Sequence, residues 1–217
     1  MPAAYDELVA KIQNGEIATH QQLEREKIRV AKKYGLPKII KNAELVSYGG
    51  FLPLLKTKPV RTLSGVANIA VTWLGEWSGS NNFSCPFSCV YCPQGKGVPK
   101  SYTGTEPTTL RALRNRFDPF DQVSNRLKQL SLIGHSTDKC ELIIMGGTFL
   151  SWQQQKQEAF IKGCLDAMNG TAADSLLTAQ KQNETAQHRC IGLTFETRAD
   201  YCTDAHIARM LSYGCTR

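Results

Sequence analysis

The chain has 217 residues, 41% of them hydrophobic and 21% charged, with a formal net charge of +7. That is enough for one large domain, or a small one plus most of another, and it excludes fibrous and disordered classes. The start, Met1-Pro-Ala-Ala-Tyr-Asp-Glu, lacks a basic segment followed by an apolar one, and no uncharged apolar run reaches membrane-spanning length. Export and membrane contact are therefore not expected; a cytoplasmic protein with reduced thiols is.

The charge sits mainly at one end. Residues 1–61 carry eleven Lys/Arg against six Asp/Glu, a balance of +5, which is the footprint of a polyanionic partner such as nucleic acid. Tyr5, Leu8, Val9 and Ile12 fall at helical spacing before Asn14-Gly15. A capping box, Thr19-His-Gln-Gln22, predicts a second helix running to Tyr34-Gly35. Leu23, Val30, Ala31 and Tyr34 line its apolar side, while Arg25, Arg29, Lys32 and Lys33 form a basic side offered to phosphates, a solvated lysine face being the plainer alternative. A loop-rich connector from Pro37 to Pro59 follows, so residues 1–59 are expected to form a small basic helical module and its connector.

From residue 60 to 217 strands alternate with helices. Val66–Trp73, Glu141–Met145 and Cys190–Phe195 read as apolar strands; Thr108–Arg116, Asp121–Ile133, Ser151–Met168, about 174–186 and Thr203–Leu211 read as helices. Alternation of this kind means parallel β/α units, with ligands at the carboxyl ends of the strands. The fold class expected is therefore α/β.

After the first strand comes Cys85-Pro-Phe-Ser-Cys89-Val-Tyr-Cys92. Three thiols on one short loop suit three corners of a 4Fe-4S cluster, leaving one iron free to chelate S-adenosylmethionine (SAM), and Tyr91 is placed to pack against an adenine edge. A structural zinc site is the alternative, but it wants a fourth ligand, and no second CxxC or HxxxH pair is present. Farther on, Lys100 and Tyr102, followed by Arg111 and Arg114, read as a second basic patch with an aromatic for a stacked base.

Lys139, just before the second strand, reads from spacing as a surface lysine. Gly146 and Gly147 follow that strand, where paired glycines let a ligand approach free backbone groups and so offer a seat for the SAM amino group. Beyond the third strand, Glu196 and Arg198 are candidate catalytic side chains, a structural ion pair between them being the alternative.

In sequence order, Cys-x3-Cys-Val-Tyr-Cys, Ser101-Tyr-Thr-Gly, Glu106-Pro, Asp118-Pro-Phe, Gly134-His-Ser-Thr-Asp-Lys139, Leu142-Ile-Ile-Met-Gly-Gly-Thr-Phe149, Glu196-Thr-Arg-x-Asp-Tyr-Cys202 and Tyr213-Gly-Cys-Thr-Arg217 together resemble the catalytic subunit of Elongator and its archaeal relatives. The resemblance implies a radical-SAM (β/α) barrel and an acetyltransferase-like domain that cooperate to place a carboxymethyl group on C5 of the tRNA wobble uridine, U34, using acetyl-CoA. It implies cluster ligation by Cys85, Cys89 and Cys92, SAM contacts from Gly146, Gly147 and Thr148, and an acetyl-CoA contact from Lys139. Its chemistry would be hydrogen abstraction from the acetyl methyl by a deoxyadenosyl radical, attack on the uracil ring and hydrolysis from CoA. tRNA is the implied partner, with other Elongator-type subunits or a second copy as further ones.

The sequence departs from the family pattern in a short first cysteine gap, an unusual Trp77–Ser84 stretch before it, and Ala199 where the family has proline. A fourth strand is expected near Arg217, so the chain reads as an N-terminal piece with an incomplete barrel. Two further readings stay open: a non-catalytic RNA-binding protein with a zinc or cluster site, and another radical-SAM enzyme with a different substrate.

Overall fold

Thr19 stands in extended conformation (φ −128°, ψ 153°), its hydroxyl accepts from the Gln22 N–H, and Gln22 Oε1 accepts from the Thr19 N–H at 3.0 Å. This reciprocal cap starts helix α2 (His20–Lys33), which follows α1 (Pro2–Gln13). The computed structural model describes residues 2–50, 52–75 and 85–217, so the Trp77–Ser84 stretch lies outside the described residues. The chain divides into two units, one of residues 1–65 with 128–136 and one of residues 66–127 with 137–217. The division thus falls a few residues beyond Pro59, and the first unit takes in a segment that the connector reading does not anticipate.

The first unit is built on an apolar core of Ala4, Leu8, Ile17, Leu23, Val30, Ile40, Leu45 and Leu55, against which Tyr5, Val9 and Ile12 pack. The connector is not all loop. It holds a third helix, α3 (Asn42–Gly49), which Glu44 starts by accepting from the Lys41 N–H at 3.0 Å and Gly50 ends at φ 82°. Bracketing prolines and the Gly49-Gly50 pair hide this helix from periodicity, yet Leu45 is fully buried. The 128–136 segment is tied in by Thr57 N–H donating to the Ile133 carbonyl and by the His135 ring, bonded to Thr62 Oγ1 at 2.8 Å and to the Thr57 carbonyl at 2.9 Å.

The second unit is a parallel sheet of β1 (Ala67–Thr72), β2 (Lys139–Met145) and β3 (Arg189–Phe195) in the order 1-2-3, the α/β class expected from sequence. Thr72 lies opposite Met145, and Ile144 opposite Phe195, so all three carboxyl ends meet at one edge. The intervening helices are α4 (Pro107–Arg114), α5 (Pro119–Leu132), α6 (Gln154–Asn169) and α7 (Leu176–Asn183), with α8 (Asp204–Ser212) after β3. Thr203 precedes α8 as expected, but its hydroxyl bonds His206 Nδ1 at 2.8 Å instead of a backbone amide.

Buried Gln122 on α5 accepts from the Thr72 N–H at 2.8 Å and donates to the Thr72 carbonyl at 3.0 Å, serving as a strand-like partner where β1 ends. On the other side of the sheet, Arg217 N–H donates to the Leu193 carbonyl and Phe195 N–H to the Arg217 carbonyl, the pairing a parallel neighbour makes. Beneath the strand ends lies an aromatic floor, with Phe149 stacked on Phe195 at 5.3 Å and Trp73 on Trp152 at 5.1 Å. Among the described residues no helix is long and apolar enough to cross a membrane.

Candidate metal and cofactor site

The cysteine loop opens on a cavity of ≈ 580 Å³ at the carboxyl ends of β2 and β3. Cys85, Cys89, Tyr91 and Cys92 line it from the loop, Gly147 and Thr148 from the end of β2, and Phe195, Glu196, Thr197 and Arg198 from the end of β3. Each sulfur has its own polar neighbour. Cys85 Sγ lies 3.4 Å from Thr148 Oγ1, Cys92 Sγ lies 3.3 Å from Ser101 Oγ, and Arg198 Nη1 donates to Cys89 Sγ at 3.3 Å. Burial pushes the Cys85 thiol up, but the Thr148 hydroxyl, the Phe87 and Thr148 amides and the Lys100 charge outweigh it, so the thiol is held below its ordinary value. Elsewhere burial wins, pushing Cys140 up to about 12 and Cys164 well up, which leaves both as inert packing.

Gly146 and Gly147 are there for space and backbone conformation. A Cβ on Gly146 (φ +131°) would meet the Trp73 carbonyl at 2.8 Å, and one on Gly147 (φ +89°) would press on Cys85 Cβ at 3.0 Å. Their amides are not free, contrary to the sequence reading: Gly146 N–H donates to Glu196 Oε2 at 3.1 Å and Gly147 N–H at 3.5 Å. The Tyr102 hydroxyl donates to the same carboxylate at 2.7 and 2.9 Å. Burial first, and the Glu196 carboxylate second, push the Tyr102 phenol far above its ordinary value, so it stays a donor.

Several expected roles change accordingly. Tyr102 is 7% exposed and works inside the cavity, not as a platform for a stacked base. Lys100 Nζ donates to the Phe87 carbonyl at 2.6 Å and so fastens the cysteine loop. Glu196 and Arg198 do not pair with each other, because Arg198 makes a two-pronged contact with Asp200 at 2.9 and 2.8 Å. Tyr91 is 85% exposed at the cavity rim. Lys139 is exposed at the amino end of β2, six residue steps and about 20 Å of strand from Met145, so the sheet does not bring it to the cysteines.

Of the basic residues, Arg111 donates to Thr108 Oγ1 at 3.1 Å and Arg114 is exposed on α4. On α2, Arg25 and Lys32 are exposed, whereas Arg29 and Lys33 both donate to Glu7. Sequence reasoning assigned no role to Ser101 beside Cys92 or to Thr197 in the cavity wall, although the Ser101-Tyr-Thr-Gly run held the first and the Glu196-Thr-Arg run the second.

The donor set fits a thiolate-bound cluster with a polar ligand beside it. Three cysteines line one cavity of ligand size, and Thr197 Oγ1 is buried there with no partner among the described residues. Among those residues, no three His, Cys, Asp or Glu side chains are gathered closely enough to hold a metal ion, so the three thiols share one cavity without forming a closed ligand set.

Residues 1–63 match the ELP3 N-terminal domain family. The chain is 49% identical over 188 residues to a tRNA uridine(34) acetyltransferase of Methanocaldococcus jannaschii, covering 81% of this chain and 34% of that protein. It is 41% identical over 217 residues to Elongator complex protein 3 of Homo sapiens, covering 93% of this chain and 40% of that protein. A solved structure of archaeal Methanocaldococcus infernus Elp3 with an N-terminal deletion (1–46) superposes with a TM-score of 0.52 at 42% identity, over 70% of this chain and 28% of the other. The chain thus spans between a third and two fifths of the length of these curated relatives. Over that span it belongs to the family of Elongator complex protein 3.

Proposed function

We propose that this chain carries the radical-SAM part of a tRNA wobble-uridine modifying enzyme, with the start of a (β/α) barrel in residues 66–217 preceded in sequence by a basic helical unit that binds tRNA. The observation that carries the reading is the shared cavity of Cys85, Cys89 and Cys92 with the ends of β2 and β3. The names of its relatives support uridine-34 of tRNA as the target and acetyl transfer as the wider reaction. Acetyl-CoA is the proposed co-substrate.

Held by the three cysteines, a 4Fe-4S cluster with SAM would supply one-electron cleavage of SAM. The chain's own residues do the rest. Cys85 is readied as a ligand by Thr148 and Lys100, and Gly147 allows the end of β2 to lie directly against it. Glu196, held by Tyr102 and two amides, presents a fixed carboxylate beside the thiols, suited to orienting a ligand ammonium group. Phe195 puts an apolar ring into the cavity lining, backed by Phe149 stacked on it at 5.3 Å.

The test is turnover of SAM. Anaerobically reconstituted protein with dithionite should release 5′-deoxyadenosine, and the Cys89→Ala variant should release none. Stoichiometric zinc with no deoxyadenosine would replace this reading with that of a binding protein.

A further inference from the structure

We propose that Arg198 is a positioning residue that raises the electron affinity of the cluster held by Cys85, Cys89 and Cys92, through its hydrogen bond to the Cys89 sulfur, and that Asp200 moderates it; the proposal rests on the cluster reading above. Arg198 Nη1 donates to Cys89 Sγ at 3.3 Å. The guanidinium lies 4.0 Å over the ring of Phe87, two residues before that cysteine, and Phe87 meets Tyr201 edge-on at 5.1 Å. On its other side Arg198 Nε and Nη2 hold the two Asp200 oxygens. The planar fork therefore contacts the loop through a ring face and a sulfur, while a carboxylate fixes its direction.

Arg198 lines the cavity, but each of its three nitrogens is already engaged by Asp200 or the Cys89 sulfur. An arginine needed only for substrate would not be engaged on both sides. A donor and a positive charge at a ligand sulfur favour the cluster state with one more electron, since hydrogen bonds to sulfur and local charge set cluster potentials. The Asp200 charge opposes this from behind Arg198. Removing one or the other should thus move the potential in opposite directions, which a purely structural role would not do.

The experiment is an anaerobic potentiometric titration of the reconstituted chain, following the reduced-cluster signal by electron paramagnetic resonance, with iron content measured in parallel. Arg198→Gln should make reduction harder by about tenfold in the one-electron equilibrium, about 59 mV. Asp200→Asn, which leaves every cysteine and Arg198 in place, should make it easier. If Arg198→Gln loses its iron, the rise in Asp200→Asn decides alone. Unchanged potentials, or shifts of the same sign, in a wild type that does hold the cluster overturn the role of Arg198 while sparing the cluster reading. A wild type that takes up no iron and sulfide overturns both.

Discussion

Glu7 in the helical unit and Glu196 at the end of β3 are both carboxylates with several donors, but their surroundings differ. Glu7 accepts from Arg29, Lys33 at 2.7 Å and Tyr34 at 3.0 Å, while Arg29 and Lys11 also reach Glu26, a network on the outside of an apolar core. Glu196 accepts from a buried phenol and two glycine amides, with three thiols lining the same cavity. The first arrangement spends charge on charge at the surface, where each pair adds little. The second gathers polar groups where water is partly excluded, so each must be satisfied by a neighbour or by a ligand. Charged residues alone did not separate the two units; what they are bonded to did.

The largest effect should come from crowding the thiols. Gly147→Val places a side chain against Cys85 at a backbone angle that L residues resist, and iron retention after desalting should fall about tenfold to hundredfold. Retention at the wild-type level would show that the end of β2 does not position Cys85. Next, Tyr102→Phe removes both bonds to Glu196 and should cost about 2 kcal/mol in urea unfolding.

Glu7→Gln should cost less, about 1 kcal/mol, because its partners are half-exposed and rehydrate. A larger loss in Glu7→Gln than in Tyr102→Phe would break the contrast between the units. The pH dependence sharpens it. Lys33's hydrogen bond, with Arg29 and Tyr34 and against burial, holds the Glu7 carboxyl at about 2, below its ordinary 4.5. A depressed folded value means that the stabilisation is complete above 4.5 and is lost as pH falls towards 2. Helix content followed by circular dichroism should decline over that window, and more shallowly in Glu7→Gln.

Much of this was legible in the sequence, for identifiable reasons. The Thr19–Gln22 cap, the three apolar strands and the cysteine loop after β1 depend on local pattern, and local pattern is what a sequence displays. The helix at Asn42–Gly49 escaped because a single buried residue, Leu45, anchors it between loop-forming neighbours. The partners of Arg29, Arg198, Lys100 and Tyr102 escaped because pairing is decided across the fold. Arg198 chose Asp200 and Cys89 over Glu196, and no spacing rule announces a contact between residues 89 and 198. Lys139, for which a motif implies an acetyl-CoA contact, stands at the amino end of β2, the end away from the thiols.

The most direct measurement is the iron, acid-labile sulfide and zinc content of this chain after anaerobic reconstitution, beside a variant in which Cys85, Cys89 and Cys92 are all alanine. The account predicts about four irons and four sulfides per wild-type chain, and none in the variant. Equal iron in both proteins, or one zinc with no sulfide in the wild type, would contradict it.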